Sequence, residues 1–160
     1  MHIFFYFTTF FICLFYVMDN IVNIHNCSSP NKTVVVMNIE SFNTQKDCNN
    51  IIDAIKDNYN CKKDFYLILE TRDLKSDNIS IKCLYIFSDF INSLKNNKYQ
   101  YLKKTIIKIY DNYCYHLLYF LFTYLSSPIA IVEVILYDTD INKPSSLENI
   151  HKIKQYFPKN

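Results

Sequence analysis

The sequence contains no glycine, no tryptophan, one arginine and two alanines among its 160 residues. A protein of this length ordinarily carries about eleven glycines. Because both a P-loop and a GxGxxG turn need a residue without Cβ, glycine-dependent phosphate sites are excluded. Turns that need a positive φ are expected to fall on asparagine or aspartate. Asn96 and Asn97, which end a predicted helix, are expected to take this left-handed role.

Motifs that carry catalytic or metal chemistry are also missing. The six cysteines form no CxxC pair and match no zinc-ligand spacing, and the sequence has no HExxH motif, serine elbow or Cys-His pair. The net charge is +2, so bulk electrostatics do not indicate nucleic acid as a partner. These observations predict a protein that is not an enzyme and that has neither a metal nor a cofactor.

Apolar and aromatic residues are abundant instead. Half of the residues are hydrophobic and 17% are aromatic, which is typical of a folded chain. The 18 asparagines and the many Lys, Ile, Tyr and Phe residues are encoded by A/T-rich codons, and we interpret this bias as genomic. Cys48, Cys83 and Cys114 fall on apolar faces of predicted helices, a position typical of buried thiols.

Residues 1–18 form an apolar N-terminal segment. Residues 3–18 carry no charge, whereas a membrane-spanning helix needs about 20 apolar residues. Three hypotheses stay open: a signal anchor or short membrane helix, a cleaved signal peptide, and a translation start at Met18. The protein is expected to be membrane-associated if residues 3–18 are retained and cytoplasmic if translation begins at Met18.

Strands are predicted by β-branched or continuous apolar runs that are too short for helices. These runs lie at residues 32–39, 64–71, 105–110 and 129–137. A further short strand at residues 21–25 is expected to pair with the first of them as a hairpin.

Helices are predicted between and after these strands. Apolar residues at three- and four-residue spacing indicate helices over residues 47–59, 79–94 and 112–125, and Asp111 is expected to cap the last of them. A final amphipathic helix is predicted over residues 144–157. The alternation predicts an α/β domain over residues 21–140, with a mainly parallel sheet of four to five strands and right-handed βαβ crossovers.

The order and lengths of these elements over residues 32–138 resemble a known fold. It is the fold shared by STAS domains, of the anti-sigma-factor antagonist type, and CRAL-TRIO (Sec14-like) lipid-binding domains. The likeness is clearest in FYLILETRDLKSDNIS, a buried strand followed by an acidic turn. It is also clear in YLKKTIIKIYDNYCYHLLYFLFTYLSSPIAIVEVILYD, a strand, an aromatic-rich helix, a Ser-Pro stop and a final strand. The resemblance implies a lipid or other apolar ligand, with the aromatic helix near its gate.

The aromatic helix at residues 112–125 is the first candidate site. We expect it either to be buried by its neighbours or to present an aromatic face to a lipid, a membrane or a protein partner. The residues of this candidate surface are Tyr113, His116, Leu117, Phe120, Leu121 and Tyr124.

Polar residues that follow the predicted strands form the second candidate site. Ligands bind at the carboxyl ends of parallel strands, where paired carboxylates can perform acid/base chemistry. The alternative is that these residues are helix caps and solvated turns. The residues of this candidate site are Glu70, Arg72, Asp73 and Asp111.

The function that we expect is a non-enzymatic binding or regulatory module for a lipid, an apolar ligand or a membrane surface. The alternative is a protein–protein interaction domain without a small-molecule ligand, and the oligomeric state is left open. An apolar cavity beneath residues 112–125 would favour the first hypothesis, and a solid core would favour the second.

Overall fold

A computed structural model describes residues 25–29, 32–138 and 149–158. The apolar segment at residues 1–18, most of the strand predicted at 21–25 and the start of the predicted final helix lie outside the described residues.

Six strands form one sheet, and their spatial order is their order along the chain. The four central strands are parallel, and the first and last strands pair antiparallel with their neighbours. The mostly parallel α/β fold is therefore confirmed. An N-terminal hairpin is present, but its first strand shares only His25 with the strand predicted at residues 21–25, and the sheet has one strand more than predicted. The strands are β1 (His25–Ser29), β2 (Lys32–Asn38), β3 (Phe65–Glu70), β4 (Leu102–Ile109), β5 (Ile131–Asp138) and β6 (Asn149–Tyr156).

Three helices connect the parallel strands, as predicted. They are α1 (Gln45–Asn60), α2 (Ile81–Leu94) and α3 (Asn112–Phe120). A 3-10 turn at Ser76–Asn78 precedes α2, and a π-helical turn at Leu121–Leu125 extends α3 to the predicted end of that helix.

The start of α1 is held by a capping box. The Thr44 hydroxyl accepts from the Asp47 N–H, and Asp47 Oδ2 accepts from the Thr44 N–H at 3.0 Å. The same oxygen accepts from Ser41 Oγ at 2.8 Å and from the Asn43 N–H at 3.1 Å. Burial raises the pKa of Asp47, but the hydrogen bonds from Thr44, Ser41 and Asn43 outweigh it and hold this pKa below its usual value.

The turn after α1 corrects one expectation. Among the described residues, the only positive φ belongs to Lys62, at 53°, and neither Asn96 nor Asn97 takes the left-handed conformation. The Lys62 N–H donates to the Tyr59 carbonyl at 3.0 Å, which closes the end of the helix. Lys62 follows the C-cap residue Cys61, and this is the position at which helices commonly end in the left-handed conformation.

The predicted C-terminal helix at residues 144–157 is wrong over its described part, because Asn149–Tyr156 is the strand β6. Its apolar residues have helical spacing, but a run of eight residues is too short for spacing alone to choose helix over strand. β6 pairs with β5 from Val132 to Asp138, with an irregularity at Leu136/Tyr137. This pairing satisfies the backbone groups that the edge of β5 would otherwise expose.

All three helices pack on one face of the sheet. Alternate side chains of the central strands are buried there against α1, α2 and α3, because successive residues of a strand point to opposite faces. A sequential order of parallel strands joined by right-handed crossovers places every helix on the same side. The sheet residues of this covered face include Val35, Met37, Leu67, Leu69, Ile107, Ile109, Val134 and Leu136.

The opposite face of the sheet, which we call the open face, has no helix over it in the described part of the chain. Its side chains are half-buried or exposed, and Ile153 of β6 is 52% exposed. Two ion pairs lie on it: Lys104 with Glu133, at 3.1 Å, and Lys108 with Glu70, at 3.4 Å. Its apolar side chains are Val34, Val36, Tyr66, Ile68, Ile106, Ile131, Ile135, Tyr137 and Ile153.

Candidate functional site

The helix α3 begins as predicted, at an aspartate cap. Asp111 Oδ1 accepts from the Cys114 N–H at 2.9 Å and so satisfies one of the first free N–H groups of the helix. One side of the helix is buried against the sheet and α2, through Cys114, Tyr115, Leu121 and Phe122. Asp111 therefore serves the helix and not the polar candidate site.

Four of the six residues predicted for the aromatic surface are exposed. Tyr113, His116, Phe120 and Tyr124 lie on the outer side of α3 and its π turn, and Tyr124 is 69% exposed. Leu117 is half-buried. The structure does not place Leu121 on this surface, because its side chain is fully buried beneath the helix.

Ring contacts join Phe120 and Tyr124 to β6. Lys154 Nζ lies 4.1 Å from the centroid of the Tyr119 ring, which meets the ring of Tyr124 edge-on at 6.4 Å. The Tyr124 ring lies 5.7 Å from that of Phe120. Lys152 Nζ lies 5.0 Å from the ring of Tyr115. We call the four exposed side chains of the helix, together with the half-buried Tyr119, the α3 strip: Tyr113, His116, Tyr119, Phe120 and Tyr124.

Sequence reasoning missed Tyr119, Lys152 and Lys154 as members of this surface. The two lysines were assigned to a separate helix, and only the pairing of β6 with β5 brings them beside α3. No local signal in the sequence indicates this neighbourhood. The tertiary structure therefore adds positive charge to a helix that itself has no charged residue between positions 112 and 125.

An apolar cavity of about 80 Å³ lies beneath α3, between the helices and the covered face. Leu117, Leu118 and Leu121 of the aromatic helix line it, together with side chains of β3, β4 and α2. Pockets for drug-sized ligands measure about 300–1,000 Å³, and an apolar cavity of about 150 Å³ holds benzene. The space beneath α3 is therefore too small for a lipid chain.

The second candidate site is partly assembled at the carboxyl ends of β2 and β3. Glu70, Arg72 and Asp73 line one groove of about 200 Å³, together with Asn38 and Glu40. Three of the four predicted residues are thus brought together, and the fourth caps α3.

Arg72 lies against a tyrosine pair at the edge of this groove. Its guanidinium carbon is 4.6 Å from the centroid of the Tyr110 ring, and its Nη2 donates to Tyr110 Oη at 3.2 Å. The Tyr110 ring stacks on Tyr137 at 5.0 Å. Burial, followed by the nearby Glu70 carboxylate, raises the pKa of Tyr110 to about 12. Glu70 Oε2 pairs with Lys108, while its Oε1 is buried without a hydrogen-bond partner.

Two of the predicted carboxylates have partners within the fold. Glu70 is paired with a lysine and Asp111 accepts from a backbone N–H. Within residues 25–29, 32–138 and 149–158, no three His, Cys, Asp or Glu side chains converge as the ligands of a metal ion would. The groove can hold a small polar group, and the carboxylates of Glu40 and Asp73 also line it.

The cysteines of the core are structural. Cys48, Cys83 and Cys114 are buried, as predicted. Burial raises the pKa of Cys48 to about 11 and that of Cys114 to about 12, and it also raises the pKa of Cys83. Because the thiolate is the nucleophile, these thiols are unreactive at neutral pH. Cys61 is exposed.

Within the described part of the chain, no helix combines the length and the apolar character that crossing a bilayer requires.

Comparison with known proteins adds no family to these observations. No family model, no curated protein and no solved structure matches this chain, and its resemblance to STAS and Sec14-like domains stays a prediction.

Proposed function

We propose that this chain is a non-enzymatic module that binds the surface of an anionic membrane reversibly through the α3 strip. The observation that carries the proposal is the contiguous aromatic surface of α3 with two lysines of β6 beside it. Tyrosine rings are amphipathic and suit the headgroup region of a bilayer, and neighbouring lysines are attracted to anionic lipids.

The small size of the apolar cavity favours surface binding over the capture of a whole lipid. A cavity of about 80 Å³ holds far less than an acyl chain occupies, and nothing in the described core needs to open for the α3 strip to act. The strip is already exposed, with Tyr113 at 49% and Tyr124 at 69%. A surface of this kind touches lipid headgroups without a cavity.

Vesicle sedimentation of the full chain tests the proposal. The probe is vesicles of phosphatidylcholine with phosphatidylserine, and the variant is Phe120→Asp with Tyr124→Asp. Binding should weaken about tenfold or more, because two apolar contacts are replaced by charges that anionic lipids repel. The matched control is Tyr85→Asp with Tyr99→Asp, two tyrosines of α2 and the loop before β4 that are 50% and 66% exposed.

Comparing these two double variants also shows whether the α3 strip or the apolar N-terminal segment attaches the chain to vesicles. If residues 3–18 alone attach the chain to vesicles, both double variants will sediment like the wild type, and the proposal fails. Loss of sedimentation in both variants would indicate a general effect of added negative charge and would also contradict a specific role of α3.

The lysines of β6 provide a second test. Lys152→Glu with Lys154→Glu should weaken binding to the anionic vesicles at least about fivefold for each lysine and leave weak binding to pure phosphatidylcholine unchanged. Lys46→Glu with Lys63→Glu, at exposed positions in the first turn of α1 and in the turn after it, changes the net charge by the same amount and is the matched control. Equal losses for the β6 and α1 variants would show that only net charge matters.

A protein partner is the second candidate, because α3 is rich in tyrosine and free of charge. Protein interfaces are enriched in Tyr and Phe and depleted of charged residues at their core. A photoreactive residue at position 124 should then crosslink one defined protein in cells, and the same residue at position 99 should not. Crosslinks to lipid alone from position 124 would reject this candidate and support membrane binding.

A further inference from the structure

The open face is unusual for a parallel sheet. Sheets of parallel strands occur almost only where both faces are covered, since their strands are apolar on both sides. In the described part of this chain, only one face is covered. Three apolar side chains lie side by side in the middle of the open face, where Val36 pairs with Ile68 and Ile68 pairs with Ile106. Ile135 and Ile153 form a second apolar pair beside them.

The charges of the open face neutralise one another. Lys104 pairs with Glu133, which also accepts from Gln155 at 2.9 Å, and Lys108 pairs with Glu70. Each lysine therefore lays its apolar stem along the sheet while its charge is matched by a carboxylate. An uncharged cover would leave no unpaired charge beneath it, so the face suits an apolar occupant.

We propose that residues 3–18 of this same chain cover the open face. This segment has 16 residues without a charge, six of them phenylalanine and two of them tyrosine. As a helix it is about 24 Å long, and the sheet measures about 19 Å from β2 to β6 at a strand spacing of about 4.8 Å. The segment is therefore long enough to cross every strand of the open face.

The point at which the chain enters the sheet allows this placement. β1 begins at His25, which lies opposite Val36 and next to the open face. Residues 19–24 link the apolar segment to β1, and six residues span up to about 20 Å when extended. The segment can therefore turn back over the edge of the sheet.

Covalent attachment favours this occupant over a second copy of the chain. A tethered segment has an effective concentration on the order of millimolar at its site, well above the concentration of a free partner. A bilayer is the other competitor for an apolar segment, but 16 residues fall short of the roughly 20 that a spanning helix needs, and the acidic Asp19 follows the segment directly. Packing of the segment on the open face is therefore favoured over a second copy as the cover and over insertion of the segment into a bilayer.

Photocrosslinking of the full chain tests this placement. A photoreactive phenylalanine at position 7 or 11 should form crosslinks within one chain, and peptide mapping should locate them on β2 to β6 at open-face positions such as Ile68, Ile106 and Ile135. The same group at position 85, on α2, should give no crosslink to these positions. Crosslinks between two chains, crosslinks to lipid, or an intact mass that lacks the segment would each overturn the proposal.

Limited proteolysis measures how firmly the segment is held. Chymotrypsin cleaves after Phe and Tyr, and the segment should be cut at least about tenfold faster in Ile106→Glu than in the wild type, because the charge disrupts the apolar floor. Position 153 lies on the edge strand and is half-exposed, so it tolerates a charge without unfolding. In Ile153→Glu the segment should also be cleaved faster than in the wild type. Tyr85→Glu is the matched control on the helix side. Equal cleavage rates in the wild type and all three variants would contradict the placement.

Discussion

The two faces of the sheet are built from the same strands but meet different neighbours. Ile106 and Ile107 are adjacent in β4, and Ile107 is buried beneath the helices while Ile106 is half-buried on the open face. The covered face is uncharged beneath the helices and carries Lys152 and Lys154 only on its edge strand β6, whereas the open face has two Lys–Glu pairs among its isoleucines. Strand sequence alone therefore does not show whether a face is covered, because both faces carry enough apolar side chains to be buried.

The largest expected effect comes from truncating these two neighbours. Ile107→Ala should cost about 2–5 kcal/mol of unfolding free energy, because it leaves a cavity in a packed core. Ile106→Ala should cost about 1–2 kcal/mol, since a tethered segment covers it less tightly than three helices cover Ile107. Urea unfolding of the full chain measures both values, and equal losses would remove the distinction between the two faces.

A double-mutant cycle sharpens this comparison. In a chain that carries Phe7→Asp and Phe11→Asp, the cost of Ile106→Ala should fall by at least about 0.5 kcal/mol, as expected for residues in contact. The cost of Ile107→Ala should stay the same and serves as the control. An unchanged cost for Ile106→Ala would show that residues 3–18 do not touch the open face.

The next effect concerns a carboxylate on the helix side. Asp47→Ala should cost about 1–2 kcal/mol, because it removes the acceptor of three hydrogen bonds at the start of α1. Since the pKa of Asp47 is lowered in the folded state, its contribution is present at neutral pH and is lost as pH falls below about 4. Urea unfolding of the wild type and of Asp47→Ala between pH 7 and pH 3 measures how this contribution changes with pH.

The partners of Asp47 are uncharged, so added salt should leave its contribution nearly unchanged. Asp53→Ala, an exposed aspartate on the same helix, is the control and should change stability by less than about 0.5 kcal/mol. A large effect of Asp53→Ala would indicate a loss of helix stability in general and not of the cap.

A smaller gain is expected at the turn that ends α1. Lys62→Gly should stabilise the protein by about 0.5–1 kcal/mol, because glycine takes a positive φ without steric cost. Lys63→Gly, one residue later and without a positive φ, should be neutral or destabilising because it only adds freedom to the unfolded chain. Thermal unfolding of both variants measures the difference, and equal shifts would contradict a strained turn.

The smallest effect is expected for the charges of the open face. Hydrogen bonds from Gln155 and Lys104 lower the pKa of Glu133, so its contribution is present above about pH 4.3 and is lost as pH falls. Glu133→Gln should cost about 0.5 kcal/mol at neutral pH. Because residues 3–18 are proposed to cover this face, the cost should persist in 1 M salt, whereas a cost that shrinks in salt would indicate a solvated face.

Sequence reasoning predicted the central elements well. The apolar runs of β2, β3, β4 and β5 and the apolar spacing of α1, α2 and α3 are local signals, and the structure has an element at each of them. It failed at β6, where eight residues fit both periodicities and the unpaired edge of β5 decides the outcome. It also misplaced the positive φ, which the structure has at Lys62 and not at Asn96 or Asn97.

The candidate sites were predicted less completely than the fold. Tyr113, His116, Phe120 and Tyr124 were found because an apolar helix must be either buried or an interface. Lys152 and Lys154 were missed because they reach α3 only through the pairing of β6. Asp111 was placed both at a cap and at a polar site, and its hydrogen bond to Cys114 leaves only the cap.

The amino-acid sequence by itself determined the alternation of strands and helices, the caps of α1 and α3, and the exclusion of glycine-dependent phosphate sites. All of these depend on residues that are near one another in the chain. Only the tertiary structure decided that the three helices between the parallel strands lie on one face and that the C-terminal strand brings two lysines to α3. Strand order and edge pairing depend on contacts between distant residues, and the periodicity of a single segment contains no information about them.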